Sequence, residues 1–140
     1  MKAVDIADQI HRELGSPTDV GIAAISFWIR TSIGALNNHL NITYEINQSS
    51  YEIERDVNGT TTEIGINETA VLKKMYEIHF YDIKLRSVLA AASTDAVIAL
   101  SSDGSSIKKV NKNEQAKLYA GARNTLSEEL HNMVHAYRLN

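Results

Sequence analysis

Residues 51–66 read YEIERDVNGTTTEIGI, a stretch that predicts a β-hairpin within an otherwise helical chain. Its Asn58-Gly59 pair favours the two positive φ values of a type I′ turn, whose twist matches that of paired strands. With this pair as the turn, one side of the ribbon brings together three cross-strand pairs: Ile53 with Ile64, Tyr51 with Ile66, and Val57 with Thr60. The hairpin is therefore predicted with a defined register.

The opposite side of the predicted ribbon is acidic. It carries four carboxylates: Glu52, Glu54, Asp56 and Glu63. Glu54 lies opposite Glu63, and like charges in such a pair are mildly destabilising. A two-stranded ribbon alone is also marginal in water. We therefore expect the ribbon to lean on its own helices or on another subunit, and the second possibility points toward an assembly protein.

The composition fits one soluble globular domain of 140 residues. The chain contains a single proline, Pro17, which favours long helices, and no cysteine, which excludes disulfides, thiolate nucleophiles and cysteine-ligated zinc. The net charge of −3 argues against general nucleic-acid binding. The first residues lack the apolar run of a signal peptide or a membrane span, so no membrane partner is expected.

Apolar residues at helical spacing predict four helices, over residues 3–14, 18–40, 68–92 and 111–137. Gly15 and Pro17 separate the first two helices, and Asn67 is expected to cap the third. Helix 2 is apolar over so much of its surface, with Ala23, Ala24, Phe27 and Trp28 widening its stripe, that we expect it to be central or to contact partners on two sides.

Two β elements are predicted between these helices. Alternation at Ile42, Tyr44 and Ile46 indicates a third short strand before the hairpin, and the turn signal at residues 101–106 indicates a second hairpin. The expected fold is mainly α: a four-helix bundle in one domain spanning residues 1–140. A β-hairpin insert over about residues 42–66 lies between helices 2 and 3, and a second short hairpin over about residues 97–110 lies between helices 3 and 4.

Charge is segregated along the chain. Residues 41–66 are acidic, and residues 105–123 are basic, with Lys108, Lys109 and Lys112 close together. One interpretation is two solvated faces. The other is a subunit interface in which Glu52, Glu54, Asp56 and Glu63 of one copy meet these lysines of the next, so that reversing Glu52, Glu54 and Glu63 to lysine weakens assembly.

Motifs for catalysis or cofactor binding are missing from the sequence. It contains no phosphate-binding glycine loop, no dinucleotide fingerprint, no nucleophile elbow and no HExxH. His131 and His135 have metal-ligand spacing, with Glu128 nearby, but two exposed histidines near a helix C-terminus are the simpler interpretation. His79 with Asp82 predicts a buried, hydrogen-bonded histidine more readily than a general base. The sequence thus predicts no catalytic residues, no cofactor, no metal and no enzymatic activity.

Several segments together resemble the head–tail connector, or adaptor, proteins of tailed bacteriophages. They are RELGSPTD at residues 12–19, ISFWIR at 25–30, IGALN at 33–37, YEIHFYD at 76–82 and VNKNE at 110–114. The resemblance covers most of the chain. It rests on the overall pattern, because the family has no catalytic signature.

This resemblance implies a small helical-bundle subunit that assembles into a ring, usually a dodecamer, below the portal protein and next to other neck or tail proteins. The ring would continue the DNA channel toward the tail, in the virion and, during assembly, in the host cytoplasm. Genomic DNA would pass without sequence-specific binding, and a channel subunit with net negative charge would let the DNA slide. Such a subunit has no enzymatic activity.

The resemblance has one departure, because members of the family commonly dock into the portal through a C-terminal extension. Here the sequence stops at residues 138–140, soon after helix 4, so we expect helix 4 itself or another surface to make that contact. No individual portal-binding residues can be assigned from the family. Two alternatives stay open: another neck or tail-completion protein of the virion, and a small helical metal-binding protein or enzyme using Glu128, His131 and His135.

Overall fold

Two helices, a small sheet and two longer helices follow one another along the chain. The computed structural model describes the backbone of residues 1–98 and 103–139 and the side chains of residues 1–91 and 113–139. In these residues the helices are α1 (Ala3–Glu13), α2 (Ile22–Leu40), α3 (Ile66–Ile98) and α4 (Asp103–Leu139). The strands are β1 (Glu45–Ile46), β2 (Ile53–Val57) and β3 (Thr60–Glu63). The mainly helical class is confirmed.

The hairpin at Asn58-Gly59 is confirmed together with its register. Asn58 and Gly59 have φ values of 53° and 82°, as a type I′ turn requires, and Val57 is the partner of Thr60. The predicted third strand is β1, so the sheet is antiparallel with order β1-β2-β3. Pairing continues to Ile53, whose carbonyl accepts from the Ile64 N–H at 3.0 Å. The predicted pair of Tyr51 with Ile66 is wrong because Ile66 begins α3.

α1 and α2 pack through the apolar stripes that their sequences predict. In α1 the buried residues are Ala3, Ile6, Ala7 and Ile10, and in α2 they are Ile25, Ile29, Ile33, Leu36 and Leu40. The sheet and the residues next to its strands add Tyr44, Ile53 and Ile64 to this core, and the start of α3 adds Val71, Leu72, Met75 and Tyr76. The residues that widen the apolar stripe of α2 lie outside this core, since Ala23, Ala24 and Phe27 are exposed.

The predicted starts of α2, α3 and α4 are wrong. α2 begins at Ile22, not near Thr18, because Ser16 adopts a left-handed φ of 52° before Pro17 and Gly21 is extended. α3 begins one residue before the predicted cap Asn67. Its first turn closes on Gly65, whose carbonyl accepts from both the N–H and the hydroxyl of Thr69, at 3.0 Å and 2.8 Å.

The predicted second hairpin is also wrong. Its first strand falls partly in α3, which continues to Ile98, and its second strand, residues 107–110, lies within α4. Residues 99–102 of this prediction lie outside the described residues. The run Leu89-Ala90-Ala91-Ala92 explains the longer α3, because alanine and leucine are the strongest helix formers and an established helix extends at low cost. Asp103 suits the first position of α4, where the helix dipole favours an acid.

The described chain divides into two compact units. Unit 1 comprises Met1–Tyr76 and Leu130–Asn140, and contains the sheet and the α1–α2 core. Unit 2 comprises Glu77–Glu129, within which Asp82 pairs with Arg86 at 2.9 Å and with Arg123 at 3.2 Å. The single-domain organisation expected from length stays a prediction. None of the described helices is long and apolar enough to cross a membrane.

Candidate subunit interface

The sheet carries a row of three glutamates across its strands. Glu54 is the cross-strand partner of both Glu45 and Glu63, so the predicted contact of Glu54 with Glu63 is confirmed and a third carboxylate extends it. Asn47 partly compensates this repulsion, because its Nδ2 donates to Glu54 Oε1 at 2.7 Å. The alternation of apolar residues that predicted β1 was also the signal for the position of Glu45, which lies between Tyr44 and Ile46.

Glu52 lies in a different environment from the other predicted interface acids. Its carboxylate pairs with the ammonium group of Met1, which also lies 3.4 Å from Glu63. Burial lowers the pKa of this ammonium, but hydrogen bonds and charge from Glu52 and Glu63 outweigh burial and raise it. Lys2 forms an antiparallel bridge with Glu52, and the Ile53 N–H donates to the Met1 carbonyl at 3.1 Å. Glu52 thus holds the first residues against β2.

Asp56 and Glu63 are the two predicted interface acids that are exposed. Asp56 accepts a hydrogen bond from the Thr61 hydroxyl at 3.1 Å across the ribbon, and the Glu63 side chain is 69% exposed. Every residue of β3 is exposed, and β2 changes from a buried Ile53 to an exposed Val57. The hairpin therefore leaves the core toward its tip and presents its acidic side to solvent.

The three predicted interface lysines lie elsewhere in the fold. Lys108, Lys109 and Lys112 belong to α4, within unit 2, and their side chains lie outside the described residues. The acids all belong to unit 1. The contact between acids of one copy and lysines of another stays a prediction.

A polar cluster that sequence reasoning missed lies beside the base of the hairpin. Glu68 accepts a hydrogen bond from the Tyr137 hydroxyl at 2.9 Å, and the Arg55 guanidinium lies 5.1 Å from the centre of the Tyr44 ring. Arg55 Nε is buried and has no hydrogen-bond partner among the described residues. Its cation stacks on an aromatic face, which contributes about 0.5–2 kcal/mol.

Burial and Glu68 shift the pKa values of both tyrosines in this cluster. Burial raises the pKa of Tyr44, the Glu68 carboxylate raises it further, and the Arg55 cation lowers it. Burial and the hydrogen bond to Glu68 raise the pKa of Tyr137 to about 12. Tyr137 thus donates its hydroxyl to the Glu68 carboxylate, whose charge also acts on Tyr44.

Gly65 leaves the space that this carboxylate fills. A Cβ atom at Gly65 would lie 2.5 Å from Glu68 Oε2, so any larger residue would displace the Glu68 side chain. Because Gly65 also closes the first turn of α3, this one position sets both the start of the helix and the placement of Glu68.

A groove of about 930 Å³ lies next to this cluster, entirely within unit 1. The end of α2, the first turns of α3 and the last turns of α4 form its walls. Its lining is partly apolar, through Leu40, Ile42, Val71 and Met133. Arg138 fixes one wall, because its Nε donates to the His39 carbonyl at 2.8 Å and its Nη2 to the Asn38 carbonyl at 3.1 Å.

The remaining candidate residues form no chemical site in the described part of the chain. His131, His135 and Glu128 are all exposed on α4, and no three His, Cys, Asp or Glu side chains among the described residues converge to hold a metal ion. His79 is half-buried, and burial lowers its pKa. Trp28 packs edge-to-face on Tyr76, with ring centres 5.1 Å apart.

No protein-family profile, curated protein or solved structure matches this chain. The described residues of unit 1 carry three features that bear on function: the acidic ribbon, the polar cluster beside it and the groove.

Proposed function

We propose that this chain is a structural subunit of the neck of a tailed bacteriophage. In this proposal it forms a ring between the portal protein and the tail and continues the DNA channel. The resemblance in residues 12–37, 76–82 and 110–114 motivates the proposal. The observation that carries it is an acidic β-ribbon whose outer strand is exposed at every position.

The outer strand carries only one charged residue, Glu63, to protect its edge from pairing with another chain. β3 reads TTTE, with neither lysine nor proline, and its free edge offers unpaired backbone groups. Natural edge strands are usually protected by charge, proline or a covering element. The row of Glu45, Glu54 and Glu63 further weakens the isolated sheet. A ribbon of this kind gains stability when another subunit covers it.

Apolar side chains on unit 1 supply a second surface for assembly. Phe27 is 62% exposed on α2, where it adjoins the exposed Ala23 and Ala24, and Ile66 is 89% exposed at the start of α3. A ring of identical subunits requires two different, complementary surfaces on each copy. The acidic ribbon is one of these surfaces, and the exposed side of α2 is a separate surface that the portal or another neck protein can cover.

In the proposed assembly, α1–α4 pack as a bundle and about twelve copies form the ring, as the resemblance implies. The portal protein binds one side of the ring and other neck or tail proteins bind the opposite side. Acidic ribbons near the channel repel phosphate, so DNA slides without sequence-specific contacts. This function requires no catalytic group, metal or cofactor, and it places the protein in the virion.

Charge reversal at exposed ribbon positions tests this proposal. Glu52 and Glu63 are unsuitable because both contact the Met1 ammonium, so the informative variant is Asp56→Lys. Glu128→Lys changes the net charge equally at an exposed position on α4 and is the matched control. Light scattering and negative-stain microscopy should show rings for the wild type and the control, and smaller species for the ribbon variant. Equal assembly of all three proteins would remove the ribbon from the interface.

A further inference from the structure

We propose that the groove of unit 1 receives the tip of the β2–β3 hairpin from a second copy of the chain. This inference rests on the proposed ring function, and it names the two surfaces that meet between neighbouring subunits. The tip is defined as residues 56–61, and the groove is the one lined by α2, α3 and α4.

The tip presents an apolar side that its own chain leaves uncovered. Ile53, at the base of β2, is fully buried, and Val57, on the same side of the ribbon four residues later, is 40% exposed. Thr60, the cross-strand partner of Val57, is exposed as well. The core-facing side of the ribbon therefore continues past the edge of its own core, where a partner can cover it.

The base of the ribbon is anchored, so the tip is held in a defined direction. Ile53 and Ile64 are buried in unit 1, and Arg55 stacks on the Tyr44 ring. The type I′ turn at Asn58-Gly59 keeps the two strands paired to the end. A preformed tip loses little conformational freedom when it binds, which favours affinity.

The groove matches the tip in size and chemistry. Its volume of about 930 Å³ lies at the upper end of the range of preformed ligand pockets, enough for a turn and its flanking side chains. The apolar part of its lining can cover Val57 and the Thr60 methyl group; it consists of Leu40, Ile42, Val71 and Met133. Asn38, Asn41 and Asn67 also line it, and their amides can pair with the free backbone groups of an edge strand.

Charge favours the same pairing. The tip is acidic through Asp56, with Glu54 and Glu63 behind it. Among the described residues that line the groove none is acidic, and Arg138 is a cation at its wall. The groove lining thus presents no carboxylate to an acidic ribbon, and the nearby Glu68 carboxylate accepts the hydroxyl of the lining residue Tyr137. Because tip and groove are different surfaces of one chain, the contact is head-to-tail, which is the type that closes into rings.

Engineered thiols test this contact directly, because the chain has no cysteine of its own. Thr60→Cys places a thiol at the tip, and Ala136→Cys and Ala70→Cys each place one in the groove. Ala23→Cys, exposed on α2 outside the groove, is the matched control. Each groove or control variant is mixed with Thr60→Cys, oxidised mildly and analysed on non-reducing gels, while the same samples are viewed by electron microscopy.

The expected result is a disulfide-linked pair with at least one groove position, formed roughly a hundredfold faster than with Ala23→Cys, because contact raises the effective thiol concentration to about millimolar. Rings without such a link would overturn the hairpin–groove contact and leave the ring function intact. Links in particles that form no ring and ignore the portal would support the contact and overturn the ring function. The absence of both rings and links would overturn both.

Discussion

The Tyr137 hydroxyl donates to Glu68 Oε1 at 2.9 Å, joining the last turns of α4 to the first turn of α3 within unit 1. Arg138, the next residue, binds the carbonyls at the end of α2. Two neighbouring side chains therefore attach the end of α4 to two different helices, and the groove lies among these three elements. The shape of the groove depends on both contacts.

Removing the Tyr137 hydroxyl should weaken this attachment. Tyr137→Phe keeps the ring and deletes a hydrogen bond to a carboxylate, so we expect unit 1 to lose about 1–2 kcal/mol of stability. Tyr51→Phe, at an exposed tyrosine, is the control and should change stability by less than about 0.5 kcal/mol. Urea unfolding measures both. Equal stability of the Tyr137 variant and the wild type would contradict the role of this hydrogen bond.

Alkaline pH should act through the same residue. The pKa of Tyr137 is about 12 in the folded chain and 10.0 ordinarily, so between these values the unfolded chain releases a proton that the folded chain keeps. The contribution is complete below pH 10 and is lost as pH rises toward 12. Urea unfolding from pH 8 to 11 should therefore show a smaller loss of stability for Tyr137→Phe than for the wild type. Parallel pH profiles would refute this linkage.

Glycine at the tip of the hairpin should be required for its turn. Gly59 has a φ of 82° and open space where a Cβ atom would lie, so Gly59→Ala introduces backbone strain without a clash and should cost about 1–2 kcal/mol. Gly121, in α4, also has open space but no positive φ. Gly121→Ala should raise stability by up to about 1 kcal/mol through helix propensity. Thermal unfolding of both variants checks these opposite signs, and the same sign for both would contradict the turn assignment.

The glutamate row should affect folding and assembly in opposite directions. Glu54→Gln keeps the oxygen that accepts from Asn47 and removes two like-charge contacts, so the free subunit should gain about 0.2–1 kcal/mol. The same change removes one charge from the acidic side of the ribbon and should weaken association. Unfolding of the dilute protein and light scattering at high concentration measure the two effects. Unchanged association would show that Glu54 plays no part in the interface, and stronger association would contradict the predicted attraction of the acidic side.

Local signals predicted the parts of this fold that depend on neighbouring residues. Asn58-Gly59 identified the hairpin and its register, and the stripe of α1 identified its buried face. The second hairpin failed because serine, aspartate and glycine suit a turn between strands and equally suit the start of a helix. The alanine-rich sequence at residues 90–92 favours helix, so α3 continues into the region predicted as the first strand of that hairpin.

The groove and its polar cluster could not be predicted in the same way. Glu68 and Tyr137 are 69 residues apart, and neither lies in a motif. Tyr137 lies at the end of the predicted fourth helix, but nothing local indicates which carboxylate it meets. Only the packing of the end of α4 against α2 and α3 brings these residues together.

The ring proposal is tested most directly by the mass of the purified protein in solution, alone and mixed with a candidate portal protein, with the particles viewed by electron microscopy. We expect rings of about twelve copies, or portal particles extended by one additional ring. A strict monomer that does not bind the portal would contradict the ring proposal.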